Sequence, residues 1–168
     1  MELLLIRHAI AEPREPFADT GQDDALRPLT KPGRQRMREA ARGLHRVVGR
    51  IDLLATSPFV RAMQTAAIVA AEFDEISPVV LPALAPESSP EELLRWLRRN
   101  EDAEVVAIVG HEPHLGMLAT WLLTGVLQPR IPLRKGGACL IEFGRRPAKG
   151  EGVLRWALTP SLLRRLAG

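Results

Sequence analysis

An apolar run near the start of the chain ends abruptly in an arginine-histidine pair. The run Leu4-Leu5-Ile6 leads directly into Arg7 and His8. A short apolar run bounded by polar residues predicts a buried β-strand. Ligands of open α/β sheets bind at the carboxyl ends of the strands. The position of Arg7 and His8 therefore indicates a functional site.

The same pattern, an apolar run followed by polar residues, occurs twice more along the chain. The run at 51–55 leads into Ser57 and then Arg61. The run at 105–109 leads into His111. If the three strands are parallel and joined by right-handed crossovers, all three end at one edge of one sheet. We therefore expect two histidines and two arginines to meet in a single crevice.

A crevice with these side chains suits a phosphoryl group. Guanidinium forks match the geometry of phosphate oxygens. Pro58 and Pro113 predict that a helix begins directly after two of the strands, with free backbone N–H groups toward the same anion. We expect Ser57 to cap the first of these helices, and its hydroxyl is also a candidate phosphate ligand. No glycine-rich phosphate loop is visible, so side chains are expected to hold the phosphate.

Taken together, these motifs resemble the histidine phosphatase superfamily. In chain order they are Arg7-His8, then Ser57-Pro58 followed by Arg61, Gln64, Thr65 and Ala66, and finally Gly110-His111. Further features are most similar to its small phosphohistidine phosphatase branch: the short length, Arg27-Pro28-Leu29-Thr30 followed by Gly33, and Val109-Gly110-His111-Glu112-Pro113. The resemblance covers residues 1 to about 145.

The resemblance implies an α/β fold, a three-layer sandwich with a mostly parallel central sheet flanked by helices. It also implies a metal-independent phosphatase without a cofactor, acting through a phosphohistidine intermediate on His8. Arg7, Arg61 and His111 would complete the phosphate pocket. A neutral imidazole suits this role because it is nucleophilic near neutral pH, and neighbouring guanidinium groups disfavour its protonation.

The proton donor has two candidates in the sequence. Members of the superfamily that hydrolyse phosphomonoesters use a loop glutamate, for which Glu87 is an approximate match, and Asp24 is the second candidate. An acid that protonates an alkoxide leaving group is worth roughly a hundredfold or more in rate. The P–N bond of phosphohistidine is already activated. We therefore expect the substrate to be a protein that carries phosphohistidine.

Two other functions stay open at this point. One is a phosphatase of small phosphorylated molecules in the same superfamily. The other belongs to a different class, a phosphate-binding or phosphoprotein-binding module without turnover. Intact His8 argues against the module, since a protein released from catalysis has no physical need for a nucleophile.

Composition limits the partners and the setting. The net charge is only +3 and aromatic residues make up 4%, so a nucleic-acid partner is not expected. No apolar run approaches membrane-spanning length, so no membrane partner is expected either. Cys139 is the single cysteine, so no intramolecular disulfide is expected, which is typical of a cytoplasmic protein. Its apolar neighbours predict that it is buried. We expect one domain over residues 1–168, and the oligomeric state is left open.

The remaining predictions concern local structure. Residues 10–29 and 126–136 are expected to form loops, the former over the site. The charges of Arg27, Arg130, Arg134 and Lys135 are expected to be solvated, although they are candidates for contact with a substrate protein. His45 and His114 are expected to be structural and not metal ligands. Helices are predicted at 30–48, 58–73, 90–97 and 113–123, with a peripheral last helix at 161–166; further strands are predicted at 79–81, 138–144 and 152–158, the last two as a hairpin.

Overall fold

A mixed β-sheet forms the centre of the computed structural model, which describes residues 1–144 and 146–168. Among the described residues the sheet has six strands in the order β3-β2-β4-β1-β5-β6. The strands are β1 (Glu2–Arg7), β2 (Leu53–Thr56), β3 (Val79–Val80), β4 (Val105–Gly110), β5 (Ala138–Glu142) and β6 (Val153–Leu158).

The four strands β3, β2, β4 and β1 are parallel to one another, and β5 and β6 extend the sheet beyond β1 with antiparallel pairing. Arg7 of β1 lies opposite Gly110 of β4, and Thr56 of β2 lies opposite Val109. The carboxyl ends of the three buried strands therefore lie at the same edge of the sheet. This register confirms the predicted α/β class with a mostly parallel sheet.

Helices cover both faces of the sheet, as the alternating side chains of β1 require. Leu4 and Ile6 pack on one side with α2 (Lys31–Val48), α3 (Val60–Ala70) and α6 (Pro160–Leu166). Leu3 and Leu5 pack on the other side with α4 (Pro90–Arg99) and α5 (His114–Thr124). The three-layer arrangement is confirmed. A further short helix, α1, spans Arg14–Ala18.

Local sequence signals account for the ends of these helices. Thr30 caps α2 by accepting a hydrogen bond from the N–H of Gly33 at 2.9 Å, and Ser89 and Thr159 cap α4 and α6 in the same way. Gly125 ends α5 with a φ of 78°, a left-handed conformation that favours glycine. Cys139 is fully buried in β5, as predicted.

Three local predictions are wrong. Residues 10–29 are not a bare loop, because they contain α1 and a 3-10 turn at Asp24–Leu26. The helices near Pro58 and Pro113 begin at Val60 and His114, so both prolines precede the first helical residue. The last helix is not peripheral: Leu163 is fully buried against α2, where Gly43 leaves room for its backbone.

Candidate active site

A cavity of about 500 Å³ opens at the carboxyl ends of β1, β2 and β4. It is lined by Arg7, His8, Arg61 and His111, the four side chains that the sequence pattern places at one sheet edge. Its size is within the range of small-molecule sites. The rest of the lining comes mainly from the segment after β1 and includes Ile10, Ala11, Glu12, Pro13, Arg14, Arg27, Pro86, Glu112 and Lys135.

One hydrogen bond fixes the tautomer of His8. Its Nδ1 lies 2.7 Å from the carbonyl oxygen of Ala9. A carbonyl only accepts, so Nδ1 carries the proton and Nε2 keeps its lone pair. Burial lowers the pKa of His8 to about 3, helped by the positive charges of Arg61, Arg7 and Lys135 and opposed by the bond to Ala9. The imidazole is therefore neutral at physiological pH.

The backbone around His8 is held from two sides. The N–H of His8 donates to the carbonyl of Gly110 in β4 at 3.0 Å. The N–H of Ala9 donates to Thr65 Oγ1 at 3.0 Å, and that hydroxyl donates to the carbonyl of Arg61 at 2.7 Å. Thr65 therefore joins the end of β1 to the first turns of α3, and it sets His8 and Arg61 relative to each other.

Arg61 is buried and pairs with Asp24, which lies in the 3-10 turn. Its Nη2 donates to Asp24 Oδ2 at 3.0 Å and its Nη1 to the Asp24 carbonyl at 2.7 Å. Arg27 donates through Nε to the other carboxylate oxygen of Asp24 at 2.7 Å. The Nε of Arg61 is buried without a partner among the described residues. One donor of Arg61 therefore has no protein acceptor in this part of the chain.

Arg7 is held by the loop that precedes β5. Its Nη1 donates to the carbonyl oxygen of Leu133 at 2.8 Å. Its Nε is buried and has no partner within the described residues. Burial lowers the pKa of Arg7, although the charge of Glu112 opposes this effect. A backbone carbonyl orients the guanidinium but leaves its positive charge uncompensated.

Ser57 contacts His111 instead of capping a helix. Its Oγ lies 2.7 Å from His111 Nε2 and accepts a hydrogen bond from the N–H of Phe59 at 3.3 Å. The N-cap of α3 is Phe59, so the prediction that Ser57 caps this helix is wrong. Ser57 is also fully buried and is not part of the cavity lining. Of the two ring nitrogens of His111, Nε2 contacts Ser57 and Nδ1 has no partner in the described part of the chain.

The two histidines lie close together, and burial and the charge of Arg61 lower the pKa of both. The ring centroids of His8 and His111 are 5.1 Å apart. Burial lowers the pKa of His111 to about 3, with further lowering from His8, Arg61 and His114 and an opposing effect of Asp24. Both rings are therefore neutral near pH 7.

The candidate proton donors are placed differently from each other. Glu87 is exposed, and its neighbour Pro86 lines the cavity while Glu87 does not. Burial opposes the ionisation of Asp24, but the hydrogen bond from Arg27 and the charges of Arg61 and Arg27 together lower its pKa. Asp24 is therefore ionised at neutral pH, with both carboxylate oxygens engaged by arginines.

Several residues of the cavity lining were not identified from the sequence as parts of the site, among them the charged residues Arg27, Lys135 and Glu112. The prediction of a solvated Arg27 is wrong: it is 7% exposed because it pairs with Asp24 and donates to the Glu12 carbonyl at 2.7 Å. Lys135 is exposed yet lines the cavity, and so does the half-buried Glu112. Glu112 directly follows His111, which was the one available signal for it.

The described residues, 1–144 and 146–168, contain no group of three or more His, Cys, Asp or Glu side chains arranged to hold a metal ion. His114 is buried at the start of α5. Nor does that part of the chain include a helix with the length and apolarity needed to cross a membrane.

Comparisons with known proteins agree with this geometry. Residues 3–86 match the histidine phosphatase superfamily (branch 1). An uncharacterized protein of Picosynechococcus sp. is 39% identical over 147 residues, which cover 86% of each chain. Phosphohistidine phosphatase SixA of Escherichia coli is 27% identical over 167 residues, 98% of this chain and 97% of that protein.

A solved structure extends the match to three dimensions. The structure of the protein histidine phosphatase SixA complexed with tungstate superposes with a TM-score of 0.82 at 26% identity, covering 96% of this chain and 98% of SixA. The family match covers half of the chain, and the fold agrees over nearly its whole length. This chain is a member of the histidine phosphatase superfamily, and its structure is similar to that of SixA.

Proposed function

We propose that this phosphatase hydrolyses phosphohistidine on a protein and that His8 accepts the phosphoryl group during the reaction. The observation that carries the proposal is the bond of 2.7 Å from His8 Nδ1 to the Ala9 carbonyl. It leaves the Nε2 lone pair as the nucleophile, in a cavity that Arg7, Arg61 and His111 also line.

The proposed reaction has two transfers. In the first, His8 Nε2 forms a bond to phosphorus as the P–N bond to the substrate imidazole breaks, and that imidazole takes a proton from solvent. In the second, water forms a P–O bond, the bond to His8 breaks, and the proton lost by water returns to solvent. Phosphate and neutral His8 remain. The bond to Ala9 holds the Nδ1 proton throughout, which stabilises the phosphorylated ring.

The two arginines supply the electrostatic stabilisation in this scheme. Among the described residues, the Nε atoms of Arg7 and Arg61 are two of the five buried side-chain nitrogens without partners; the others are ring nitrogens of His111 and His114. Phosphoryl oxygens would satisfy both donors, and two guanidinium charges balance a phosphoryl dianion. We assign His111 a third contact through Nδ1, with Ser57 holding the ring by its other nitrogen.

The choice of substrate rests on the carboxylates near the cavity. The Asp24 carboxylate pairs with Arg27 and Arg61, and Glu87 is exposed away from the lining. Glu112 lies in the lining, but its Oε1 accepts a backbone N–H. A substrate with an activated P–N bond has the least need for an acid. The similarity to phosphohistidine phosphatase SixA, and to its complex with tungstate, a tetrahedral oxyanion, supports this choice. A cytoplasmic setting belongs to the same proposal.

The test compares a phosphohistidine-bearing carrier protein with para-nitrophenyl phosphate, both in EDTA. Wild type should clear phosphohistidine rapidly, His8→Ala should lose turnover while it still binds phosphate, and His45→Ala should match wild type because His45 is an exposed histidine of α2. Turnover of the aryl phosphate alone would support a small-molecule phosphatase. Phosphate binding without turnover of either substrate would support a binding module.

A further inference from the structure

Glu112 is an acidic residue in the cavity proposed to bind a phosphoryl group, and the reaction proposed above gives it no role. It lies between His111 and α5 and is half-buried. Its Oε1 accepts a hydrogen bond from the N–H of Leu133 at 2.9 Å. Burial raises the pKa of the carboxyl group, and the backbone donor of Leu133, the positive charge of Arg7 and the backbone donor of Gly116 oppose that shift. A negative charge beside a phosphate site needs a structural explanation.

Leu133 connects Glu112 to Arg7. The N–H of Leu133 binds Glu112, and its carbonyl accepts the hydrogen bond from Arg7 Nη1 at 2.8 Å. Within the described residues this is the one hydrogen bond made by the guanidinium of Arg7. The Leu133 side chain is 5% exposed and packs in the core. Leu133 is therefore held at three points: its N–H by Glu112, its side chain by the core, and its carbonyl by Arg7.

Helix α5 is shaped to hold Glu112 and the loop together. A Cβ atom at Gly116 would lie 2.8 Å from Glu112 Oε2 and 3.0 Å from the carbonyl oxygen of Ile131. Only glycine therefore lets both groups approach the helix without displacement. One turn further, Thr120 Oγ1 accepts a hydrogen bond from the N–H of Arg130 at 3.0 Å. The loop at 126–136 therefore contacts α5 at two points, by close approach at Gly116 and by a hydrogen bond at Thr120.

The contact with Arg7 is indirect, which matters for charge. Among the described residues no ion pair within 4.0 Å joins Glu112 to Arg7. A direct ion pair would compensate the guanidinium charge that a phosphoryl group needs. A backbone carbonyl placed between the two residues orients the guanidinium and leaves its charge available.

We infer that Glu112 is a positioning residue for Arg7, acting through Leu133 to set the orientation of the guanidinium in the phosphate site. The inference rests on the proposed function for the role of Arg7 as a phosphate ligand. It also gives the loop at 126–136 a task, which is to place a carbonyl acceptor beside Arg7.

A double-mutant cycle tests the inference, with inorganic phosphate affinity by calorimetry and kcat/KM for both substrates as readouts. Glu112→Ala should weaken phosphate binding and lower kcat/KM by roughly 10-fold to 100-fold, as for residues that orient metal ligands from behind. In an Arg7→Ala background the same change should have almost no effect. Equal losses in both backgrounds would overturn the inference.

The conservative variant separates positioning from proton donation. Glu112→Gln keeps an oxygen for the Leu133 N–H but cannot supply a carboxylic proton, so we expect it to retain most of the wild-type kcat/KM. If Gln is as damaging as Ala, and the loss grows with the pKa of the leaving group, Glu112 is an acid and not a positioning residue.

A second variant keeps the test valid if Glu112→Ala unfolds. Gly116→Ala displaces the Glu112 carboxylate while the carboxylate stays in the chain, so it should weaken phosphate binding in wild type but not in Arg7→Ala. Gly144→Ala is the control, because apart from its chain neighbours no described residue has an atom within 4 Å of a Cβ there. A loss from Gly116→Ala that persists without Arg7 would contradict the inference. Phosphate affinity does not depend on turnover. If Glu112 and Arg7 are coupled in their effect on phosphate affinity but the protein does not hydrolyse phosphohistidine, only the proposed function is rejected.

Discussion

Arg7 and Arg61 line the same cavity but are held by two different loops with two different kinds of acceptor. The segment after β1 holds Arg61 through the carboxylate and the carbonyl of Asp24, at 3.0 and 2.7 Å. The loop before β5 holds Arg7 through the carbonyl of Leu133 alone, at 2.8 Å. One arginine is paired with a negative charge, and the other is only oriented.

The difference concerns what a phosphoryl group must displace. A carboxylate competes with phosphoryl oxygens for the guanidinium, because both are anionic acceptors of the same geometry. A carbonyl oxygen carries no net charge and does not compete in this way. We therefore expect Arg7 to be ready for phosphate before it binds, and Arg61 to exchange part of its contact with Asp24 when phosphate arrives.

The largest expected effect comes from removing either arginine. Arg7→Ala and Arg61→Ala should each lower kcat/KM by roughly 10²-fold to 10³-fold, the effect typical of losing one donor to a developing charge. Steady-state kinetics on para-nitrophenyl phosphate measures this. Arg95→Ala, on the exposed side of α4, is the matched control and should match wild type. A loss below tenfold at either position would show that the other cations of the cavity replace it.

The two arginines also differ in the histidines that they affect. The charge of Arg61 lowers the pKa of both His8 and His111, after burial, whereas that of Arg7 lowers the pKa of His8. Both imidazoles should therefore stay neutral from pH 8 down to pH 5 in an NMR titration. In Arg61→Ala both pKa values should rise, and in Arg7→Ala only that of His8. A wild-type midpoint near 6.5, the ordinary value, would contradict a permanently neutral nucleophile.

The pH dependence of folding stability is a second test that the buried His8 is neutral. The pKa of His8 is about 3 in the folded chain against an ordinary 6.5, so the unfolded chain binds more protons as pH falls below 6.5. The stabilisation is fully present above that pH and decreases toward pH 3. Between pH 6.5 and 5 the loss is roughly 1–2 kcal/mol. In His8→Asn, thermal melts over this range should show a correspondingly smaller loss, and an unchanged slope would mean that His8 does not titrate on unfolding.

The sheet could be predicted from the sequence because each of its buried strands can be recognised from its own consecutive residues. Buried parallel strands have continuous apolar sequences. A site residue lies at the end of β1, directly after β4, and in the first turn of the helix that follows β2. This was enough to place His8, Arg61 and His111 at one edge. The register that brings Arg7 opposite Gly110 then follows from pairing β1 with β4.

What could not be predicted depends on contacts between distant parts of the chain. Arg7 and Leu133 are 126 positions apart, and nothing local to either residue signals their hydrogen bond. Arg27 is predicted to be a solvated charge because nothing near it in the sequence signals its hydrogen bond to the Glu12 carbonyl, 15 positions away. Helix α6 reads as peripheral because its burial depends on Gly43, where a Cβ would lie 1.8 Å from the Leu163 carbonyl oxygen.

Asp24→Asn should have a smaller effect than the arginine substitutions, and it should strengthen phosphate binding instead of weakening it. The change removes the charge that competes for Arg61 while the Asp24 carbonyl still accepts from Nη1. Inorganic phosphate should therefore bind several-fold more tightly, with little change in turnover, as measured by competitive inhibition. Weaker phosphate binding would mean that the carboxylate orients Arg61 and does not compete. If turnover of substrates with poor leaving groups falls while phosphate binds more tightly, Asp24 is the proton donor.

The smallest effect is expected at Glu87, which tests whether the segment at 84–90 contributes to the site as the two arginine-holding loops do. Pro86 reaches the cavity, but the Glu87 side chain is exposed and outside the lining. Glu87→Gln should therefore leave kcat/KM within about twofold for aryl phosphates of any leaving-group pKa, since a carboxyl group that does not reach the leaving group gives no general-acid assistance. Glu91→Gln, on the exposed first turn of α4, serves as the control. A loss for Glu87→Gln that grows with leaving-group pKa, and that the control does not share, would mean that this segment closes over the bound substrate and brings Glu87 to the leaving group.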